Sequence, residues 1–127
     1  MYKIAIIDDD PDIVEALTIL LKSKDYSVVS AINVDSGSKL IESENPDLIL
    51  LDVMMDEPDD GFYMANKLRK KGFNKPIILL TSVSKSIGFE FGQGDTLPVN
   101  DFLEKPVLSN ILLEKLEYHL KKSGGQK

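Results

Sequence analysis

Short apolar runs alternate with amphipathic segments along this chain, and the alternation predicts its fold class. The segment Lys3–Ile7 is apolar on both of its faces, which is typical of a central strand buried on both sides of a parallel sheet. Apolar runs of similar length follow at intervals. The predicted strands are Lys3–Ile7, Tyr26–Asn33, Asp47–Asp52, Pro76–Thr81 and Asp101–Lys105.

Segments with apolar residues at helical spacing separate these strands. The first begins after Asp10, which can cap a helix, and Pro11 suits the first helical position. The other predicted helices are Asp35–Ser43, Gly61–Gly72 and about Leu108–Lys122, the last with an apolar stripe of Leu108, Ile111, Leu112, Leu116 and Leu120. Strands that alternate with helices over short connections imply right-handed crossovers, and therefore an α/β fold with helices on both faces of a parallel sheet.

Composition narrows the function classes. The chain has 127 residues, enough for one domain, and a net charge of −6, which argues against nucleic-acid binding. It has no cysteine, and no apolar run reaches the roughly 18 residues that a membrane span requires. We expect a cytoplasmic protein without membrane insertion. The one histidine, His119, is expected on the surface or flank of the last helix.

Polar residues follow the predicted strands where each strand ends. Asp8 and Asp9 follow the first strand, Asp52 ends the third, Thr81 ends the fourth and Lys105 ends the fifth. Carboxyl ends of parallel strands meet at one edge of the sheet, where ligands bind in such folds. Crowded carboxylates repel one another unless a cation joins them, and a hard divalent ion such as Mg²⁺ suits oxygen ligands. The sequence therefore predicts a Mg²⁺ site.

Each of these residues also has an ordinary structural interpretation. Acids before a helix are often only a cap and a complement to the helix dipole. An acid or threonine that ends a strand, or a lysine before proline, is common in loops and turns. The combination at four strand ends is much more specific than any single residue.

Taken together, these strand ends resemble the receiver domains of two-component response regulators. The resemblance covers nearly the whole chain and depends on the segments "IIDDDP", "DLILLDVMM", "PIILLTS" and "DFLEKP". It implies a flavodoxin-like, doubly wound sheet of five parallel strands in the order 2-1-3-4-5. It also implies a receiver domain over residues 1–122 with a flexible tail over residues 123–127.

The resemblance further implies a reaction and a metal site. Asp52 would accept a phosphoryl group from a sensor histidine kinase or a phosphotransfer protein. Asp9 would bind Mg²⁺ directly and Asp8 largely through water, while Asp52 and the backbone carbonyl of Met54 would supply further ligands.

Three other residues match the family's remaining functional positions. Lys105 would pair with the phosphoryl oxygens, and Thr81 would donate its hydroxyl to the same group. Phe102 matches the switch aromatic, which rotates inward as the threonine moves. By this resemblance the chain is a phosphoacceptor that changes a protein-binding surface for an unknown downstream target, and is not a dedicated enzyme.

Two apolar side chains bear on how long the phosphoryl group would last. In the family, the residues two past the acceptor and two past the threonine often orient or obstruct the attacking water. Here they are Met54 and Val83, neither of which can hydrogen-bond water through its side chain. This predicts slow self-dephosphorylation.

Two segments depart from the family pattern. Acids crowd the loop Asp56–Asp60, and glycines and a proline interrupt Ser82–Asn100, where the family has a helix. We expect that fourth helix of the family to be short or irregular. Because this surface serves output and dimerisation in the family, a homodimer is left open.

Two alternative functions stay open at this point. Asp8 and Asp10 resemble the nucleophile motif of haloacid-dehalogenase-like phosphatases, although Gly-Thr does not follow and Asp52 would have no role. The other alternative is a receiver-like interaction module that is never phosphorylated.

Overall fold

The computed structural model describes residues 1–55, 60–81 and 98–124, and these form a parallel sheet flanked by helices. The strands are β1 Lys3–Ile7, β2 Ser27–Ala31, β3 Leu48–Asp52, β4 Ile77–Thr81 and β5 Asp101–Glu104. The helices in the described ranges are α1 Pro11–Ser23, α2 Val34–Glu44, α3 Asp60–Lys70 and, at the C-terminal end, α4 Ser109–Gly124. The strand order β2-β1-β3-β4-β5 confirms the predicted flavodoxin-like topology.

Alternate residues of each central strand enter two different cores, one on each face of the sheet. One core joins the sheet to α2 and α3 and includes Ala5, Ile7, Ile49, Leu51, Ile77 and Leu79. The other joins the sheet to α1 and α4 and includes Ile4, Ile6, Leu48, Leu50, Ile78 and Leu80. Because successive strand residues point to opposite faces, strands covered on both sides must be apolar at every position.

Helix α1 begins at the residue that the sequence predicts, whereas α2 begins one residue earlier than predicted. Asp10 caps α1, since its carboxylate accepts the Asp12 N–H at 3.0 Å. Helix α2 begins at Val34 and not at Asp35, because the Asn33 side chain accepts the Ser36 N–H at 2.8 Å. A side-chain amide can cap a helix as well as a carboxylate can.

The buried face of α4 differs from the predicted stripe. Leu112, Leu116 and Leu120 are buried, whereas Leu108 is 56% exposed and Ile111 is 36% exposed. Leu108 lies before the first helical residue, and Ile111 lies about 100° around the helix from Leu112.

His119 was expected on the surface or helix flank, and this expectation is wrong. Its side chain is on the buried face of α4, with only 8% of the residue exposed. The polar ring is tolerated there because Nε2 is 2.9 Å from a carboxylate oxygen of Asp101 on β5.

Some predictions fall outside the described residues. They concern most of the acidic loop Asp56–Asp60 and most of the segment Ser82–Asn100, including Val83.

Helix α4 continues to Gly124, two residues past the predicted helix end at Lys122. The limits of the receiver domain, residues 1–122, stay a prediction. Within the described ranges, the helices are too short or too polar to cross a membrane.

Arg69, near the end of α3, connects three segments that sequence reasoning did not link. Its guanidinium donates to the carbonyls of Phe73 and Lys75, each at 2.8 Å, in the connection to β4. It also donates to the Pro98 carbonyl at 2.8 Å and to Asn100 Oδ1 at 2.9 Å, just before β5. Arg69 therefore fixes the approach to β5, the strand that carries Phe102 and leads to Lys105.

We expect Arg69→Lys to lower the free energy of unfolding by about 2–4 kcal/mol, because an ammonium cannot reproduce the planar fork and leaves carbonyls unpaired. Urea unfolding measures the change. Lys70→Gln, at an exposed neighbour, is the control and should change stability by less than about 0.5 kcal/mol. Equal effects of the two substitutions would contradict the assigned role of Arg69.

Candidate functional site

The ends of four strands bring the predicted site residues to one edge of the sheet. Asp52 pairs in register with Leu80, and Thr81 pairs with Glu104. The Lys105 N–H donates to the Thr81 carbonyl at 2.8 Å, which continues the ladder to the residue that carries the ammonium. Sheet geometry therefore gathers residues that are distant in sequence.

Three carboxylates form the centre of this site. Asp8 is fully buried and Asp52 is 4% exposed, whereas Asp9 is exposed. One carboxylate oxygen from each lies within 4.8 Å of the others. Asp8 Oδ1 accepts the Asp10 N–H at 2.9 Å, which fixes the turn between β1 and α1.

The ammonium of Lys105 bridges the two buried carboxylates. Its Nζ lies 3.1 Å from Asp8 Oδ2 and 3.2 Å from Asp52 Oδ1. One positive charge thus contacts two negative ones, so the buried part of the site keeps a net negative charge.

This arrangement changes the pKa values of the site residues. Burial and the repulsion of the Asp8 carboxylate raise the pKa of Asp52 to about 6, although Lys105 and the Met54 N–H oppose the shift. Burial by itself would lower the pKa of Lys105, but the carboxylates of Asp8 and Asp52 outweigh burial and raise it. Lys105 therefore stays protonated at neutral pH. The positive charge near Asp52 is too small to offset its burial and the repulsion from Asp8.

The donor set fits a hard divalent cation. Asp8 Oδ2 is buried, and among the described residues it has no hydrogen-bond partner besides the Lys105 ammonium at 3.1 Å. Two further carboxylates lie within reach, and the set contains only oxygen ligands. Oxygen-only ligation suits Mg²⁺, and a second cation would relieve the repulsion that raises the pKa of Asp52.

Met54 contacts the acceptor through its backbone. Its N–H lies 3.3 Å from Asp52 Oδ1, which orients that carboxylate, and its side chain is exposed at the edge of the site. The predicted role of its carbonyl as a metal ligand stays a prediction.

Thr81 and Phe102, the two residues of the predicted switch, lie on the neighbouring strands β4 and β5. Thr81 is buried at the end of β4, next in sequence to Leu80, the register partner of Asp52. Phe102 is half-buried and packs against the core that α2 and α3 share.

Gly61 is a site residue that sequence reasoning missed. Its N–H donates to the Val53 carbonyl at 2.9 Å, at the start of α3. A Cβ at this position would lie 2.3 Å from the Asp52 carbonyl oxygen and 2.6 Å from the Val53 Cα. Only glycine lets α3 approach the backbone of Asp52 so closely. The dipeptide Asp60-Gly61 is typical of a turn, but residue spacing gives no signal for this contact.

Comparison with known proteins identifies the class. A sequence profile of the response regulator receiver domain matches residues 4–117. The chain belongs to that family. Its members are phosphoacceptors on an aspartate in two-component signalling.

Solved structures of similar fold agree with this assignment. The BeF3-activated N-terminal receiver domain of Klebsiella pneumoniae RstA is 31% identical, with a TM-score of 0.78 over 94% of this chain and 98% of that one. A two-component response regulator from Clostridium difficile is 29% identical, with a TM-score of 0.81 over 97% and 98%. The N-terminal domain of the nisin resistance regulator NsrR is 32% identical, with a TM-score of 0.77 over 94% and 98%.

We expect Gly61→Ala to displace the backbone of Asp52 and Val53, because the new methyl group meets main-chain atoms that cannot rotate away. The free energy of unfolding should fall by about 1–3 kcal/mol, and the Val53 amide resonance should shift. Gly72→Ala is the control: its φ of 98° strains an alanine, but a Cβ there meets no atom within 4 Å. It should lower stability without moving the Val53 resonance. An unmoved Val53 resonance in Gly61→Ala would contradict the assigned contact.

Asp52 should destabilise the metal-free protein at neutral pH. Its folded pKa of about 6 exceeds the ordinary value of 3.8, so the folded state binds more protons between these values and stability falls as pH rises through this window. Asp52→Asn should therefore add about 1–3 kcal/mol at pH 7 and little below pH ~4.

Urea unfolding at several pH values, without divalent metal, measures the effect of Asp52→Asn. Asp12→Asn, at an exposed position in the first turn of α1, is the control and should not stabilise the protein. A pH-independent effect of Asp52→Asn, or a destabilisation at pH 7, would show that the carboxylate is not under this repulsion.

Proposed function

We propose that Asp52 of this chain accepts a phosphoryl group from a sensor histidine kinase or a phosphotransfer protein, in a reaction that requires Mg²⁺. The observation that carries this proposal is the contact of Lys105 with both Asp8 and Asp52 at the strand ends. A carboxylate nucleophile, an adjacent permanent cation and further carboxylates for a metal are the groups that phosphoryl transfer requires.

The transfer exchanges one bond to phosphorus for another. A carboxylate oxygen of Asp52 attacks the phosphorus of a phosphohistidine, the P–N bond breaks, and the imidazole leaves with the electron pair. The Lys105 ammonium is already 3.2 Å from Asp52 Oδ1, so it can pair with the phosphoryl oxygens as they arrive. Positioning and charge neutralisation supply most of the catalysis in such reactions.

The carboxylates of Asp8, Asp9 and Asp52 would hold Mg²⁺, together with the Met54 carbonyl. When bound, Mg²⁺ supplies positive charge that neutralises the transferring phosphoryl group. The buried Asp8 Oδ2, whose one partner among the described residues is the Lys105 ammonium, supports this assignment. Asp9, which is exposed, can rotate toward the ion without breaking a buried contact.

Phosphorylation would then change the surface of the protein through Thr81 and Phe102. The Thr81 hydroxyl donates to the phosphoryl group, and Phe102 rotates into the space that Thr81 leaves. An added phosphoryl group changes the balance between two conformations and does not build a new fold.

The output is a protein-binding surface for an unidentified downstream target. We propose that residues 1–122 act as a cytoplasmic receiver, without direct nucleic-acid binding or membrane insertion by these residues. Homodimerisation remains a prediction.

The two alternative functions have less support. A phosphatase of the haloacid-dehalogenase type would use Asp8 as nucleophile, but Asp8 is fully buried, and the Gly-Thr of that family's motif does not follow Asp10. That mechanism also leaves Asp52 without a role. An interaction module that is never phosphorylated would have no use for a Lys105 that contacts both carboxylates.

Incubation with acetyl phosphate and Mg²⁺ should add one phosphoryl group to the wild-type protein, because the Lys105 ammonium and Mg²⁺ then both lie beside Asp52. Intact-protein mass spectrometry measures the adduct, which chelation of Mg²⁺ should abolish. Asp52→Asn should carry no adduct. Asp10→Asn, which changes a neighbouring carboxylate that caps α1, is the control and should still be phosphorylated. An adduct that survives Asp52→Asn, or none in the wild type, would refute the proposal.

The phosphoryl group should be lost slowly, because the Met54 and Val83 side chains cannot orient water. Met54→Asn combined with Val83→Glu should accelerate its loss about tenfold or more. The rate is followed by mass spectrometry after the phosphodonor is removed. Ile19→Asn, an apolar-to-amide change at an exposed position of α1, is the control and should leave the rate unchanged. An unchanged rate in the double variant would contradict this explanation.

A further inference from the structure

The proposed reaction assigns no role to a partly buried polar cluster between β5 and α4. Its members are Asp101 at the start of β5 and two residues of α4, Lys115 and His119. Lys115 Nζ lies 2.7 Å from Asp101 Oδ1, and His119 Nε2 lies 2.9 Å from Asp101 Oδ2. Lys115 and His119 are four residues apart, so they project from the same side of the helix.

The same carboxylate also contacts the backbone of the switch aromatic. The Phe102 N–H lies 2.8 Å from Asp101 Oδ1. Asp101 therefore has three donors, two from α4 and one from the main chain of Phe102. An ionised carboxylate only accepts, so His119 must carry a proton on Nε2 in this contact.

The electrostatics of the cluster favour the charged form of Asp101. Burial raises the pKa of this carboxyl, but the hydrogen bonds from Lys115, His119 and Phe102 outweigh burial and hold the pKa below its ordinary value. Hydrogen bonds to a charged, partly buried group are stronger than those between neutral groups. The two contacts from Lys115 and His119 therefore connect the helix to the strand.

The two neighbours on β5 project toward opposite faces of the sheet. Asp101 contacts α4, whereas the ring of Phe102 packs against the core of α2 and α3. Phe102, Ile111 and Lys115 also line one cavity of about 400 Å³, which opens beside Leu108. A change in the position of the Phe102 ring would alter the shape of this cavity. A change in the position of its backbone would shift the Asp101 carboxylate, which accepts the Phe102 N–H.

We propose that Asp101 is a positioning residue of the switch, which couples the backbone of Phe102 to α4 through Lys115 and His119. This inference rests on the proposed function. Rotation of Phe102 after phosphorylation is then transmitted to α4, where Leu108 and Ile111 are exposed beside the cavity. Without the carboxylate, the site would still accept the phosphoryl group, but α4 would not respond.

The test uses the full chain with Mg²⁺ and beryllium fluoride, a phosphoryl mimic, and follows backbone amide resonances by NMR. In the wild type we expect shifts both beside Asp52, at Val53, and along α4, from Ile111 to His119. In Asp101→Asn the Val53 shift should persist while the α4 shifts fall about fivefold. Asp47→Asn is the matched control, because Asp47 also accepts a strand N–H, that of Lys3 at 2.8 Å, but lies far from the switch in sequence and sheet.

A second pair of variants distinguishes loss of the coupling between Phe102 and α4 from a general loss of folding stability. His119→Gln keeps an N–H donor near the position of Nε2 and should retain the α4 response, whereas His119→Leu removes the donor and should reduce it. This pair also leaves Asp101 intact if Asp101→Asn fails to fold.

The outcomes separate this inference from the proposed function. Full α4 shifts in Asp101→Asn, or in His119→Leu, would overturn the positioning role while leaving phosphorylation intact. Wild-type protein that shows no shift even at Val53 would overturn the proposed function, and the positioning role with it.

Discussion

The contact of one lysine with two buried carboxylates is the constraint on which the rest of the structure depends. Asp8 follows β1 and Asp52 ends the adjacent strand β3, and Lys105 must reach both from the end of β5. Two carboxylates and one ammonium leave a negative site, and burial together with this imbalance raises the pKa of Asp52. A site with a net negative charge attracts a divalent cation such as Mg²⁺, and ligands that carry such a cation. The same imbalance that costs stability would supply affinity for the proposed metal ion.

The surrounding fold holds this arrangement in place from several directions. Gly61 lets α3 approach the backbone of Asp52, and Arg69 fixes the segment before β5. Asp101 joins the next part of β5 to α4. These contacts lie outside the reacting groups, yet each one limits where Asp52, Phe102 or Lys105 can be. With the proposed role of Asp101, a local charge change at Asp52 would reach a surface on α4.

Much of this could be predicted from the sequence, for physical reasons. Strands buried on both faces must be apolar throughout, so β1, β3 and β4 were visible as continuous apolar runs, and their ends gave Asp8, Asp52 and Thr81. Contacts set by tertiary structure could not be predicted. His119 belongs to the buried face of α4 only because Asp101 lies opposite, and the place of Gly61 depends on a distance between backbones. Neither depends on residue spacing along the chain.

The central claim is that Asp52 itself carries the phosphoryl group, and the most direct test is to trap the acyl phosphate chemically. Borohydride reduces an aspartyl phosphate to homoserine, which peptide mass spectrometry can locate in the chain. After incubation with acetyl phosphate and Mg²⁺, homoserine should be found at position 52 alone, and chelation of Mg²⁺ should abolish it. Homoserine at position 8, or none at any position, would contradict the account.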